Sequence, residues 1–321
     1  MILETTADLK KYVSIAQSFE FDDFQPYIIK AVNTYTRKYL GNLHVFLKDE
    51  ANSSETSFEI KNESREHLRN AISNFGMFMY FPFMSVIIDG SGASNTSNEN
   101  RKPLEWWQNN DIRREFLRAG HEAMDLLLEV LENNPEVFEE WTEKFGTINN
   151  ELLVKNTVSF DKYYNIFNSR QTFLALQPSI RQIEDQYLRT MLCPELIEGL
   201  KTEVTGITKR LKEELQKAIV AFTVAKVANE GLFLLDENGL RVSFQTAIDG
   251  KKESVSSGKT EVQLSKLVET QLNNGKEYLR SASQIIETNI SEFTQCSSPL
   301  IKPELGISGS TIYDTNGVLS L

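Results

Sequence analysis

The chain says much of itself twice, and that repetition limits what it can fold into. Residues 65–92 read REHLRNAISNFGMFMYFPFMSVIIDGSG, and residues 212–239 read KEELQKAIVAFTVAKVANEGLFLLDENG. Without a gap, Leu68, Ala71, Ile72, Phe75, Ile87, Ile88, Asp89 and Gly92 return as Leu215, Ala218, Ile219, Phe222, Leu234, Leu235, Asp236 and Gly239. Upstream, Gln25-Pro26, Ile28, Tyr35, Arg37 and Leu40 return as Gln177-Pro178, Ile180, Tyr187, Arg189 and Leu192. Downstream, Gly120, Met124, Val130, Leu131, Glu132, Asn134 and Phe138 return as Gly275, Leu279, Ile285, Ile286, Glu287, Asn289 and Phe293. A single block is within the reach of chance between helices, whereas three collinear blocks point to a tandem duplication. The expected organisation is a first helical repeat over 1–150, a second over 151–295, and an extended C-terminal arm over 296–321, with the join near 149–159.

Periodicity gives the elements of each half. Thr5 or Thr6 caps a short helix through Leu9, Tyr12 and Val13. A helix from Phe24, with Pro26 in its first turn, carries Ile28, Ile29, Val32, Tyr35 and Tyr39 at helical spacing and stops at Gly41. A short helix over 43–47, a polar loop and a longer helix over 63–80 follow. That last helix has Leu68, Ile72, Phe75 and Met79 on one face. A hairpin is expected near 84–97, and another near 232–246, where LFLL and LRVSF flank the turn DENG. Long helices then span 106–132 and, after the loop Ser256-Ser257-Gly258, 262–287. The fold class is mainly α, with one β-hairpin inserted between the helices of each half.

The chain has 321 residues, 40% of them hydrophobic and 25% charged, as in an ordinary globular protein. The longest apolar run, 75–88, is broken by Gly, Ser and Pro and reads as core, so no membrane span is expected. The start lacks the basic segment and apolar core of a signal peptide. Cys193 and Cys296 stand far apart without His neighbours, which suggests a reducing compartment, or at least no disulfide framework. A net charge of −11 argues against gripping nucleic acid by its phosphates.

Catalytic chemistry is not expected. His44, His67 and His121 have no metal-ligand spacing and read as surface or boundary residues. Gly90-Ser91-Gly92 fits a turn rather than a nucleophile elbow, and no phosphate-binding glycine motif occurs. Residues 89–100 lack the turn glycine and closing Glu of a calcium loop. Asp22-Asp23, Glu139-Glu140 and Glu213-Glu214 read as solvated charge. No enzyme activity, cofactor or metal is therefore expected.

Two features suit partners. Trp106 and Trp107, followed by Arg113 and Arg114, either pack as core beneath the hairpin or meet a partner, the structural reading being favoured. The arm contains Leu300, Ile301, Leu305, Ile307, Ile312 and Tyr313, spaced among Gly, Pro and Ser. It is too apolar for a solvated tail and too sparse for a core, and it suits lying extended on a neighbour.

The segments DLKKYVSIAQSFEFDDFQPYIIKA (8–31), RKYLG (37–41), MSVIIDGSG (84–92), ENRKPLEWWQNNDIRREFLRAGHEAMDLLLEVLENN (99–134) and EEW (139–141) give the chain a resemblance to a known family. It resembles the head-to-tail connector, or adaptor, proteins of tailed bacteriophages, in the form carried by crAss-like phages of gut Bacteroidetes. The likeness covers most of the first half, from which the polar insert 94–100 departs. The resemblance implies a virion protein at the portal vertex, made in the bacterial host cytoplasm. It further implies a head-to-tail ring of about twelve copies docked on the portal and on adjacent tail or ring proteins, lining a channel through which DNA passes without specific binding. An acidic lumen that repels phosphates fits such a conduit. The alternative is a cellular helical scaffold that binds protein partners, or a non-virion phage assembly factor.

Overall fold

The computed structural model describes residues 3–16, 19–41, 43, 57–84, 86–90, 92–95, 104–146, 150–230, 233–236, 239–242, 257–294 and 296. It is mainly helical and divides into two units, the first centred on residues 1–147 and the second on 148–242 and 254–321. The expected helix over 43–47 and the arm beyond Cys296 lie outside the described residues.

In the first unit, α1 (Thr6–Leu9) is capped by Thr5, whose hydroxyl accepts from the Asp8 amide at 3.1 Å. Helix α2 (Phe21–Ala31) begins earlier than the expected Phe24, because Asp22 and Asp23 favour the positive end of a helix dipole. Pro26 therefore lies inside it rather than in its first turn. A π-helical turn (Val32–Thr36) and α3 (Arg37–Leu40) complete this arm, and Gly41, with φ of 57°, ends it in a conformation that favours glycine. Helix α4 (Phe58–Tyr80) leads into strand β1 (Val86–Asp89), which pairs antiparallel with β2 (Gly92–Asn95) through Asp89–Gly92 to Val86–Asn95. Helix α5 (Trp106–Asn133) returns along α4, and α6 (Glu139–Trp141) follows. The Trp141 indole donates to the Tyr39 carbonyl at 2.9 Å, tying α6 to α3.

The second unit opens with a segment expected to link the halves. Leu152, Leu153 and Val154 are instead buried in its core, because the segment is apolar enough to dock. Then come α7 (Thr157–Asp161), capped by Asn156, and α8 (Arg170–Ile183), with Pro178 in its interior. A π-helical turn (Glu184–Leu188) precedes α9 (Arg189–Met191) and α10 (Pro194–Leu200). Helix α11 (Gly206–Glu230) leads to β3 (Phe233–Asp236), which pairs with β4 (Gly239–Val242). Helix α12 (Ser257–Thr288) packs along α11. It starts at Ser257, so Ser257 and Gly258 belong to its first turn rather than to a preceding loop.

Each unit is built on a long helix pair, α4/α5 or α11/α12, and the same packing device closes both pairs. Tyr35, on the first π-turn, stacks on Phe75 with ring centres 4.2 Å apart and planes 11° from parallel. Gly120 also lies against that ring, where an added Cβ would come within 2.7 Å of Phe75. In the second unit Tyr187 stacks on Phe222 at 4.2 Å and 5°, and a Cβ on Gly275 would meet Phe222 at 2.6 Å. Only a side chain of hydrogen lets the helices approach closely enough to clamp the ring. Around Phe75, residues 71–78 are buried on every side of α4, as are residues 218–225 around Phe222 in α11. A helix stretch apolar round its whole circumference belongs to a core rather than to an amphipathic surface.

Candidate interaction surface

Where α4 ends and α5 begins, the hairpin end of the first helix pair keeps large apolar side chains in solvent. Phe83, Met84, Leu104 and Trp107 are all exposed, Trp107 by 52%. The local sequence accounts for it. Pro82 turns the chain through a short 3-10 segment, Phe81–Phe83, in which Phe81 packs edge-on to Phe116 and the Phe83 ring lies 5.8 Å from that of Tyr27. On the other strand of the approach, Glu105 caps α5 by accepting from the amide of Gln108, whose side chain accepts in turn from the Glu105 amide at 3.1 Å. That box fixes the first turn of α5 and holds Trp107 outward. Apolar surface of this kind, gathered at one end of a helix pair, marks an interaction site more often than chance exposure does.

The sequence candidates divide here. Trp107 is on the surface, not in the core, so the packed reading fails for it. The Trp106 side chain lies outside the described residues, as do Leu300, Ile301, Leu305, Ile307, Ile312 and Tyr313. Arg113 is drawn inward, its guanidinium 5.0 Å from the centre of the Phe78 ring and its Nε buried. Burial lowers its pKa, against the opposing pull of Tyr35. Arg114 remains outside, paired with Asp111 at 3.0 Å one turn earlier.

Other polar residues also settle differently from the sequence reading. His121 is buried, not at a boundary, with its ring edge-on to Phe75 at 4.9 Å and to Tyr35 at 6.0 Å. Its place one residue after Gly120 puts it against the clamped ring. Asp22, Asp23, Glu139 and Glu140 are exposed, whereas Glu213 and Glu214 are half-buried and face Lys162 at 3.5 Å and Lys217 at 2.6 Å.

The second unit holds a polar cavity of about 470 Å³ walled by Asn150, Glu151, Leu152, Arg181, Glu184, Asp185, Arg189, Glu198 and Lys201. Its cations are matched by neighbours, Arg181 with Glu151 at 2.6 Å, Arg189 with Asp185 at 2.8 Å and Lys201 with Glu198 at 2.7 Å. At its floor the Glu184 carboxylate accepts from the amides of Leu153 at 2.7 Å and Val154 at 3.4 Å. Burial pushes this acid up to about 7, against the opposing pull of those amides and of Lys201. Among the described residues, no Ser, Thr, Cys or His lines the cavity. Its work is to pin the segment entering the unit. Sequence reasoning missed it because Glu184 sits in Ile-Glu-Asp-Gln-Tyr, a run that reads as a solvated helix face.

The cysteines overturn one expectation outright. Cys193 and Cys296, 103 residues apart, form a disulfide with Cα atoms 6.5 Å apart. Separation along the chain hid it, since the fold brings the start of α10 beside the end of the second unit.

These features define a class, a mainly helical protein of two units, each a long helix pair bearing a two-stranded hairpin. A model of a family of unknown function, DUF6712, matches residues 31–147 and 185–299, one region in each unit. The chain belongs to the DUF6712 family. No curated protein and no solved structure matches it. No helix among the described residues is long and apolar enough to cross a membrane.

Proposed function

We propose that the chain is a structural, non-enzymatic component of a head-to-tail connector ring in a tailed bacteriophage, with two halves descended from a tandem duplication. The observation that carries the reading is the exposed apolar end of the first helix pair, Phe83, Met84, Leu104 and Trp107, beside the segments that resemble connector proteins. A ring subunit must offer a face to its neighbour, and an apolar end held by a rigid helix pair supplies one. The duplication is supported by the matched clamps, Tyr35, Phe75 and Gly120 against Tyr187, Phe222 and Gly275, and by the placement of both family matches. Each interior proline also precedes a π-turn by the same number of residues, Pro26 before Val32 and Pro178 before Glu184. A net charge of −11 suits a conduit along which DNA slides, and the C-terminal arm would dock on a neighbouring copy or on the portal.

The test is quantitative mass spectrometry of gradient-purified particles from a culture that produces the protein. The expected result is a low, fixed ratio to the major capsid protein, corresponding to about one ring per particle. Absence from clean particles overturns the virion assignment and leaves an assembly factor or a cellular scaffold.

A further inference from the structure

The disulfide lies beside a third metal-ligating group. Glu195, two residues into α10, is exposed and brings a carboxylate oxygen to the half-buried Cys296 and the buried Cys193, all three ligand atoms lying within 4.8 Å of one another. We propose that, once reduced, Cys193, Cys296 and Glu195 bind a thiophilic divalent cation of the Zn²⁺ type, with water as fourth ligand. The two cysteines would then cross-link the second unit in either redox state, directly when oxidised and through the metal when reduced.

Geometry and chemistry both favour this. Tetrahedral zinc with bonds of about 2.0–2.3 Å holds its ligand atoms about 3.5–3.8 Å apart, so the observed convergence needs only small side-chain rotations. Each residue is held from its own side. Cys193 is the cap of α10, with Pro194 fixing the backbone after it and its Sγ accepting from the Leu196 amide at 3.4 Å. That N–H favours the thiolate, the form a metal binds. Cys296 follows Phe293 closely, and Phe293 is fully buried in the second core. Two thiolates and one carboxylate select zinc over the hard cations magnesium and calcium, which take oxygen ligands.

The balance is simple. A dithiol reductant delivers two electrons and two protons to the S–S bond and is itself oxidised to a disulfide, leaving two thiols. Binding of the cation then releases those two protons as two metal–sulfur bonds form.

The experiment uses the full chain, oxidised and reduced, titrated with Zn²⁺ alone under oxygen-free conditions and followed by calorimetry. A parallel titration with Co²⁺ reads thiolate charge-transfer absorption. The reduced protein should take up one Zn²⁺ per chain, at least about 100-fold more tightly than the oxidised protein, whose sulfurs are occupied by each other. Reduced Cys296→Ser should lose that gain, and Glu195→Gln should bind about tenfold more weakly. Equal affinity of the oxidised and reduced wild type overturns the proposal without reliance on any variant. So does a Co²⁺ complex without thiolate absorption, or full affinity in Cys296→Ser.

Discussion

Two residues show how little tolerance the clamps have. A methyl group at Gly275 would lie 2.6 Å from the Phe222 ring, which is also stacked on Tyr187, so the ring has little room to move. Overpacking of this kind costs about 1–3 kcal/mol, partly offset by the roughly 1 kcal/mol that alanine gains over glycine in a helix. Gly275→Ala should therefore lower Tm, and the double variant Gly275→Ala/Phe222→Leu should be more stable than the sum of the single changes by about 1 kcal/mol. Strict additivity in chemical denaturation would show that the ring and the glycine are independent. Glu184 gives a second prediction, in pH. Its folded pKa of about 7 stands above the ordinary 4.5, so the folded protein holds the proton more tightly than the unfolded chain does. Its contribution to stability is complete below about pH 4.5 and is lost as pH rises toward 7, a fall of about 3 kcal/mol at 1.36 kcal/mol per unit. Lys201, which favours the charged form, and Asp185, which disfavours it, are the charged neighbours that act on this proton. Glu184→Gln keeps an acceptor for the Leu153 and Val154 amides and should flatten the fall. Glu184→Ala strands both amides and should cost about 2–3 kcal/mol near pH 4.5, a cost that shrinks as pH rises and the wild-type acid ionises. Urea melts between pH 4.5 and 8 read both effects, and an unchanged slope in Glu184→Gln would assign the pH dependence elsewhere.

Among the elements, the hairpin end of α4 and α5 is where exposed chemistry concentrates. Phe83 and Trp107 contribute little to the core at their exposures, so the double change Phe83→Ser/Trp107→Ser should leave stability within about 0.5 kcal/mol. If this end meets a neighbour, the same variant should remain monomeric in light scattering at concentrations where the wild type associates. Unaltered association would move the contact to another face. Much of the helical pattern was legible because apolar spacing is local: Leu68, Ile72 and Phe75 announce α4, and Gly41 announces the stop of α3. The boundaries were less so. Polar first turns, such as Glu59, Lys61 and Asn62 in α4 or Lys259 in α12, carry no apolar stripe, and both helices begin earlier than their patterns suggest. The π-turns were illegible for a related reason, since one extra residue in a turn leaves composition unchanged. What the sequence could not reveal at the site were relations between distant residues: Glu184 reaching Leu153, Arg113 covering Phe78, and Cys193 finding Cys296. Conversely Trp107 reads as a core residue by type, and the capping box at Glu105 turns it outward.

At the scale of the whole molecule, the two units repeat a helix-pair plan but are not equipped alike. The buried acid that opens the π-turn Glu184–Leu188 has Val32 at the matching place in the first unit, and the disulfide has no equivalent. Both units thus carry the aromatic clamp, while the second has fastenings of its own. The sulfur bond has a topological consequence. It makes a covalent circuit of everything from Cys193 to Cys296, including α10, α11, β3, β4 and α12. A single protease cut anywhere inside that circuit opens the ring without dividing the molecule. In oxidised protein nicked between residues 243 and 256, the fragments should migrate together on a denaturing gel and part only when reductant is added. Their parting without reductant would place the cut outside the circuit or show the circuit to be open.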